Sequence, residues 1–309
     1  MGSHMVRYLL RNKKDVEIIN LDKLTYAGNL ENLKEVESDP RYTFVKGDIT
    51  DQKTVEDIVS KGVDIIINYA AETHVDRSIE EPKAFLETDI FGTYTLLEAA
   101  KKFNVNKYIQ ISTDEVFGSI EKGEFTETSP FEPNSPYSAS KAGGDHLCRA
   151  YHVTYGLPVI VTHSCNFFGP NQYPEKLLPL FITNLIEGKK VPLYGDGLNE
   201  REWIYTEDHC RAIDTIVEKG TIGEVYNIAS GWRYTNTALT EMVIREFGLG
   251  TESIEYVKDR PGHDRRYALN ADKLKKLGWA PESDFESRVH ETIQWYKENE
   301  QWWKKLKSG

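Results

Sequence analysis

Apolar residues in the first two-thirds of the chain fall into short, nearly unbroken runs. Longer stretches of helical spacing separate them. The β-rich runs are Val16–Leu21, Tyr42–Val45, Asp64–Tyr69, Tyr108–Ser112 and Leu157–Thr162. Between them, Lys53–Lys61, Pro82–Phe103 and Tyr137–Tyr155 carry helix-like patterns. Near-continuous apolar strands alternating with helices predict an α/β fold: a parallel sheet covered on both faces. After about Asn171 the alternation loosens, and prolines, glycines and aromatics thicken. A last helix is expected near Phe285–Leu306, rich in Trp and Glu.

The opening of the chain departs from this scheme. A doubly wound sheet that binds a dinucleotide starts with a strand, a glycine-rich turn and a helix. Here Val6–Asn12 has the character of the end of such a helix, and no G-x-G-x-x-G or G-x-x-G-x-x-G occurs before Val16. The expectation is either a sheet whose first strand and phosphate loop are missing, with weakened dinucleotide binding, or a protein that possesses further residues ahead of this sequence. Met1–Met5 reads as a scar of an expression tag and is set aside from the fold.

Length and charge narrow the class. At roughly 150 residues per domain, 309 residues make one large or two unequal domains. No apolar run approaches the ~20 residues that cross a bilayer. A net charge of −11 argues against nucleic acid or an anionic membrane as the main partner. It leaves room for an anionic small molecule held by a few local cations. Cys148, Cys165 and Cys210 are odd in number and form no C-x-x-C pair, so neither a disulfide framework nor a zinc site is suggested. A reducing cytoplasmic setting follows as the default.

Candidate chemistry gathers at strand ends. Tyr137 and Lys141 form a Y-x-x-x-K pair whose spacing puts both on one helical face. An ammonium beside a phenol favours the phenolate, a base suited to a sugar hydroxyl. Ser135-Pro136 ahead of the pair suits a helix start. Thr113-Asp114-Glu115 follows a strand at its carboxyl end, where open α/β sheets place ligands. There a hydroxyl and two carboxylates offer a hydrogen-bond donor, a general acid and a general base. Asp22 at a strand end suits a ribose diol and would repel a 2′-phosphate, which favours NAD over NADP. Asp48-Ile49 at the next strand end suits an adenine. Arg260–Arg266 is the densest basic stretch in an acidic chain, and a diphosphate needs such planar cations.

Together these segments resemble the extended short-chain dehydrogenase/reductase family. Within it they resemble the enzymes that dehydrate nucleotide sugars. The resemblance runs through Leu21–Leu30, Ala70–Ser78, Ser112–Gly118, Pro133–Lys141, Pro174–Leu177 and Arg260–Asp264. The Asp-Glu pair after Thr113 is its specific part, since Tyr137 with Lys141 also serves epimerases and reductases. The chain departs from the pattern at His163, Phe167-Phe168 and Phe117, where Arg, Asn-Tyr and Tyr are expected.

The resemblance implies a Rossmann-like NAD-binding domain over residues 6–170 and a mainly nucleotide-sugar-binding region over 171–309. It implies loss of water from dTDP-glucose, by oxidation at C4, elimination across C5 and C6, and hydride return to C6. Thr113, Asp114, Glu115, Tyr137 and Lys141 would be catalytic. NAD would meet Asp22, Asp48, Ile49, Ala70, Ala71, Tyr137, Lys141 and Asn166. The nucleotide sugar would meet Thr73, Asn166, Lys176, Leu177, Pro192, Tyr194, Arg201, Asn236, Arg260 and His263. A homodimer is implied as well. Two other readings stay open: a nucleotide-sugar epimerase or decarboxylase of the same family, and an inactive binding module.

Overall fold

The computed structural model describes residues 1–282 and 284–307. Strands β1 (Ile18–Asp22), β2 (Tyr42–Lys46), β3 (Ile65–Asn68), β4 (Lys107–Thr113) and β5 (Val159–Ser164) lie within a residue or two of the apolar runs. They are followed by β6 (Asn166–Phe168), β7 (Val191–Tyr194), β8 (Glu200–Tyr205), β9 (Val225–Ile228), β10 (Trp232–Thr235) and β11 (Ile254–Val257). The central sheet is parallel, in the order β3-β4-β5-β9, and β1 pairs in parallel with β2 in a separate sheet. The central sheet thus takes its last strand from the later part of the chain. Its strands are apolar on both faces because helices cover both: Tyr108, Ile109 and Ile160 are fully buried.

The helices are α1 (Gly2–Asn12), α2 (Gln52–Val59), α3 (Val75–Glu80), α4 (Pro82–Phe85), α5 (Thr93–Lys102) and α6 (Pro136–Tyr155). Later ones are α7 (Leu177–Ile186), α8 (Thr206–Lys219), α9 (Asn236–Glu246), α10 (Asp272–Lys275), α11 (Phe285–Glu298) and α12 (Glu300–Lys307). A second core forms around Phe168, Phe181, Trp203, Tyr296 and Trp303, between the β10-β8-β6 sheet, the β11-β7 pair and helices α7, α9, α11 and α12. Among the described residues no helix is long and apolar enough to cross a membrane.

Three expectations are corrected. Residues 2–5 belong to α1, and Met5 is 3% exposed within the main core, so they do not behave as an appended tag. The apolar pattern of Pro82–Phe103 is not one regular helix. A π-helical segment, Leu86–Gly92, separates α4 from α5. The wider turn buries Asp89 against α6, where Ser140 donates to it at 2.7 Å. The last helix breaks at Asn299, and Trp303 turns inward to donate its indole N–H to the Tyr296 carbonyl. Amphipathic spacing persists through such breaks, so periodicity alone does not reveal them.

Candidate active site

The site is built on the carboxyl end of β4 and the first turns of α6. Ser135 caps α6 in a reciprocal capping box with Ser138, and Pro136 occupies the first turn. That start fixes Tyr137 and Lys141 on the face turned to β4. Tyr137 is 8% exposed and Lys141 is 4% exposed. The Lys141 ammonium donates to the Ile111 carbonyl at 2.7 Å. Burial, followed by the Glu115 and Asp89 carboxylates, pushes the Tyr137 phenol well above its usual range, against a hydrogen bond from Thr113. The expected lowering of this phenol by Lys141 is therefore not what governs it. Desolvation of a phenolate outweighs one ammonium that is turned to a backbone carbonyl.

Beyond Thr113 the chain tightens into a 3-10 turn over Asp114–Phe117. The Thr113 hydroxyl accepts the Glu115 amide at 3.2 Å and donates to Asp114 at 3.2 Å. Asp114 is 1% exposed, and its Oδ2 has no partner. Burial, then the neighbouring Glu115, raises the Asp114 carboxyl well above the carboxylate range. Of the pair, its shift is the one that suits a general acid. Glu115 is also raised by burial, but the Arg260, Arg201 and Lys176 cations oppose the shift. The two carboxyls therefore have different partners, which separates an acid from a base.

Arg260, Lys176 and Arg201 thus converge electrostatically on Glu115. The Arg260 guanidinium stands 3.6 Å from Asp76, and its Nε is buried without a partner. His263 bonds Asp259 at 2.6 Å and lies edge-on to Tyr194. Burial and the Arg260 and Arg201 charges depress its pKa, against the Asp259 hydrogen bond. Lys176 donates to the Thr73 carbonyl at 2.6 Å. Both terminal nitrogens of Arg201 serve backbone carbonyls of Glu200 and Asp264, and its guanidinium stacks on Tyr267. Asn166 opens β6, Leu177 opens α7, and Pro192 and Tyr194 lie on β7. Asn236 opens α9 and keeps a buried, unpartnered Oδ1.

Besides Tyr137, Lys141 and Asn166, the residues expected at NAD lie at the carboxyl ends of β1, β2 and β3. Asp22 is exposed at the end of β1 and accepts the Leu24 amide, while Lys23 pairs with Asp48 at 2.6 Å. Ala70 and Ala71 follow β3, where the Ala70 amide is held by Asn68. Ile49 is 7% exposed and packs beneath Gly92, where an added Cβ would stand 2.3 Å from its Cδ1.

Sequence reasoning missed a clasp beside this cleft. Tyr26 donates to Glu175 at 2.7 Å, Arg77 lies over the Tyr26 ring, and Tyr26 meets Tyr173 edge-on. Its only sequence signal was that Tyr26, Arg77 and Glu175 lie in stretches that carry the family resemblance.

Comparison with known proteins agrees with this geometry. The profile of the family described as GDP-mannose 4,6 dehydratase matches residues 1–292. The chain belongs to this family. It is 49% identical to the low-salt glycan biosynthesis protein Agl12 of Haloferax volcanii, over 96% of this chain and 95% of that one. It is 47% identical to a dTDP-glucose 4,6-dehydratase of Streptomyces niveus, covering 100% of this chain and 93% of that one. A solved dTDP-glucose 4,6-dehydratase from Streptomyces venezuelae, with NAD bound, superposes with a TM-score of 0.97 at 49% identity, over 99% of this chain and 96% of that one. The resemblance read from the motifs is thereby borne out.

Proposed function

We propose that this protein removes water from dTDP-glucose to give dTDP-4-keto-6-deoxyglucose, with NAD as a regenerated cofactor. The observation that carries this reading is Thr113-Asp114-Glu115 beside Tyr137, with Asp114 buried and its carboxyl shifted toward the protonated form. An elimination needs a proton donor and a proton acceptor within one small space. Oxidation or epimerisation at C4 does not need that pair.

The residues present suit NAD. Asp22 is an exposed carboxylate at the carboxyl end of β1, and the small residues Ala70 and Ala71 follow β3. Asp22 would take a ribose diol, and Tyr137 and Lys141 would meet the nicotinamide side. Bound NAD would supply a reversible hydride store for C4 and C6. Lys141 supports Tyr137 as a phenolate, which accepts the C4 hydroxyl proton and becomes the neutral phenol. The protonated state of Asp114 assists, since it removes one carboxylate charge that would oppose the phenolate. Thr113 hydrogen-bonds the C4 oxygen. The 4-keto group acidifies C5, Glu115 removes that proton, and Asp114 gives its proton to the departing C6 hydroxyl, which leaves as water. Arg260, His263, Lys176 and Asn236 would hold the nucleotide diphosphate, with residues 6–170 mainly serving NAD and 171–309 mainly the nucleotide sugar.

A homodimer and a cytoplasmic setting complete the proposal. Leu86 and Phe91 on the π segment, Tyr94 on α5, and Val153 and Tyr155 on α6 are exposed apolar residues suited to a second copy. The three cysteines are buried and free, which suits a reducing compartment.

The test is incubation with dTDP-glucose and mass spectrometry of the product. Loss of one water supports the dehydratase reading. Unchanged mass with altered stereochemistry would indicate an epimerase, and unchanged substrate a binding module.

A further inference from the structure

Three consecutive turns of α6 meet consecutive residues of β4. Tyr137 stands by Thr113, Lys141 donates to the Ile111 carbonyl at 2.7 Å, and Asp145 accepts the Ser112 hydroxyl at 2.6 Å. The spacing of four places Tyr137, Lys141 and Asp145 on one helical face. The mechanism above uses the first two and leaves Asp145 without a role. Asp145 also has a partner on the next strand. In the parallel register Ser112 faces His163 of β5, and the His163 Nε2 lies 3.3 Å from the same Asp145 oxygen. One carboxylate oxygen therefore ties β4, β5 and α6 together, one residue before Thr113.

The arrangement is deeply buried and incompletely satisfied. Asp145 is 4% exposed and His163 is 1% exposed. Asp145 Oδ1 and His163 Nδ1 have no hydrogen-bond partner. Packing holds the imidazole in place instead: its ring lies edge-on to Phe117 at 4.7 Å and to Phe131 at 5.4 Å. Phe117 belongs to the catalytic turn itself. Behind the pair is a cavity of about 500 Å³, to which His146, Arg149 and His152 of α6, Glu127 and Glu224 contribute charged or titratable groups. A buried polar group with an orphaned atom is costly to retain. Its position between two strands and the catalytic helix supplies a reason for keeping it.

We propose that Asp145 and His163 are positioning residues that fix the catalytic end of β4 against α6. Through Ser112 they set where Thr113 stands relative to Tyr137, and through the charge of Asp145 they influence Lys141. This inference rests on the dehydratase reading for its kinetic consequences only. In the tautomer with the proton on Nε2, His163 and Ser112 are two donors that share the Asp145 oxygen. Removing the imidazole donor leaves the carboxylate less compensated, and it then competes for the Lys141 ammonium one turn away. The ammonium is drawn from the Ile111 carbonyl toward Asp145, away from where it would support a Tyr137 phenolate, and the phenol becomes harder to ionise. Removing the carboxylate has the opposite electrostatic effect.

The test compares His163→Phe, which keeps an aromatic ring between Phe117 and Phe131, with His163→Gln, which keeps an amide donor near the position of Nε2. Asp145→Asn and Ser112→Ala complete the set. The readouts are kcat and KM for dTDP-glucose across pH, and hydrogen exchange of the segment 111–117. His163→Phe is expected to lower kcat by roughly tenfold with KM within about twofold, as for a misplaced proton-transfer group. Its pH limb for Tyr137 ionisation moves up by about one unit, whereas that of Asp145→Asn moves down. Exchange quickens in 111–117 without a general loss of protection, Ser112→Ala shows the same local change, and His163→Gln restores most of the rate. Unaltered pH limbs together with unaltered exchange in 111–117 would overturn the proposal. So would a uniform loss of protection in every variant, which marks a merely structural role. A wild-type protein that turns over no substrate, with the local exchange change still present, would sink the dehydratase reading and leave the positioning role standing.

Discussion

A buried carboxylic acid does opposite work for chemistry and for stability. Asp114 is suited to act as an acid because burial and Glu115 raise its carboxyl well above the usual range. Tyr137 lies at the other end of the same exchange. Tyr137→Phe is expected to lower turnover by roughly 10²–10⁴-fold, the usual cost of losing a general base. Nucleotide-sugar affinity should persist, since the ring still packs against Phe85. Steady-state kinetics with calorimetric titration check this, and near-normal turnover would remove Tyr137 from the mechanism. Asp89 shows the stability side. Burial first, against the Lys141 charge and the Ser140 hydrogen bond, raises its pKa from 3.8 to about 6. Its folded-state pKa lies above the unfolded value, so its contribution is greatest below about pH 4 and declines as pH rises to about 6. At about 1.4 kcal/mol per unit, the loss approaches roughly 2–3 kcal/mol. Asp89→Asn should then gain stability relative to wild type as pH rises from 4 to 7. Parallel denaturation curves at both pH values would contradict this.

At the scale of elements, the catalytic geometry depends on how closely α6 approaches β4 and the π-helical segment. Gly144 is the contact point: a Cβ there would lie 2.8 Å from the Asp89 carbonyl oxygen, which is backbone and cannot swing away. Gly144→Ala is expected to destabilise the fold by roughly 1–3 kcal/mol through overpacking. Chemical denaturation checks it, and an unchanged midpoint would show that the segment yields freely. The start of α6 was legible in Ser135-Pro136, because capping is a local interaction between neighbours in sequence. The π-helical insertion was not legible, because it is stabilised by contacts with α6, some fifty positions away.

At the scale of the whole molecule, contacts across the cleft link the early strand-end loops with later segments. Tyr26 with Glu175, Thr73 with Lys176, and Asp76 with Arg260 all cross it. Arg260→Ala should raise KM for dTDP-glucose by roughly tenfold with kcat within a few-fold, the pattern of a contact made equally in ground and transition states. His263→Ala should move in the same direction by less. Unchanged KM with a collapsed kcat would put both residues in the chemistry instead. Light scattering should give about twice the 35.4 kDa chain mass. A monomer at micromolar concentration would leave the exposed Phe91 and Val153 patch without its proposed partner.

The chain by itself determined what depends on neighbours in sequence. Apolar runs placed the first five strands, capping placed α6, and the Tyr137–Lys141 and Thr113–Glu115 spacings named the reactive groups. Those signals are local, so the folded structure leaves them nearly where they were read. Only the tertiary structure decided the rest. It made Met5 core, brought β9 into the central sheet beside β5, and turned Asp89 inward. It placed Arg260 and Lys176 where their charge reaches Glu115, and it set His163 opposite Ser112. Each of these is a meeting of residues distant in sequence, and its free energy comes from desolvation and close packing that exist only once the chain has closed on itself.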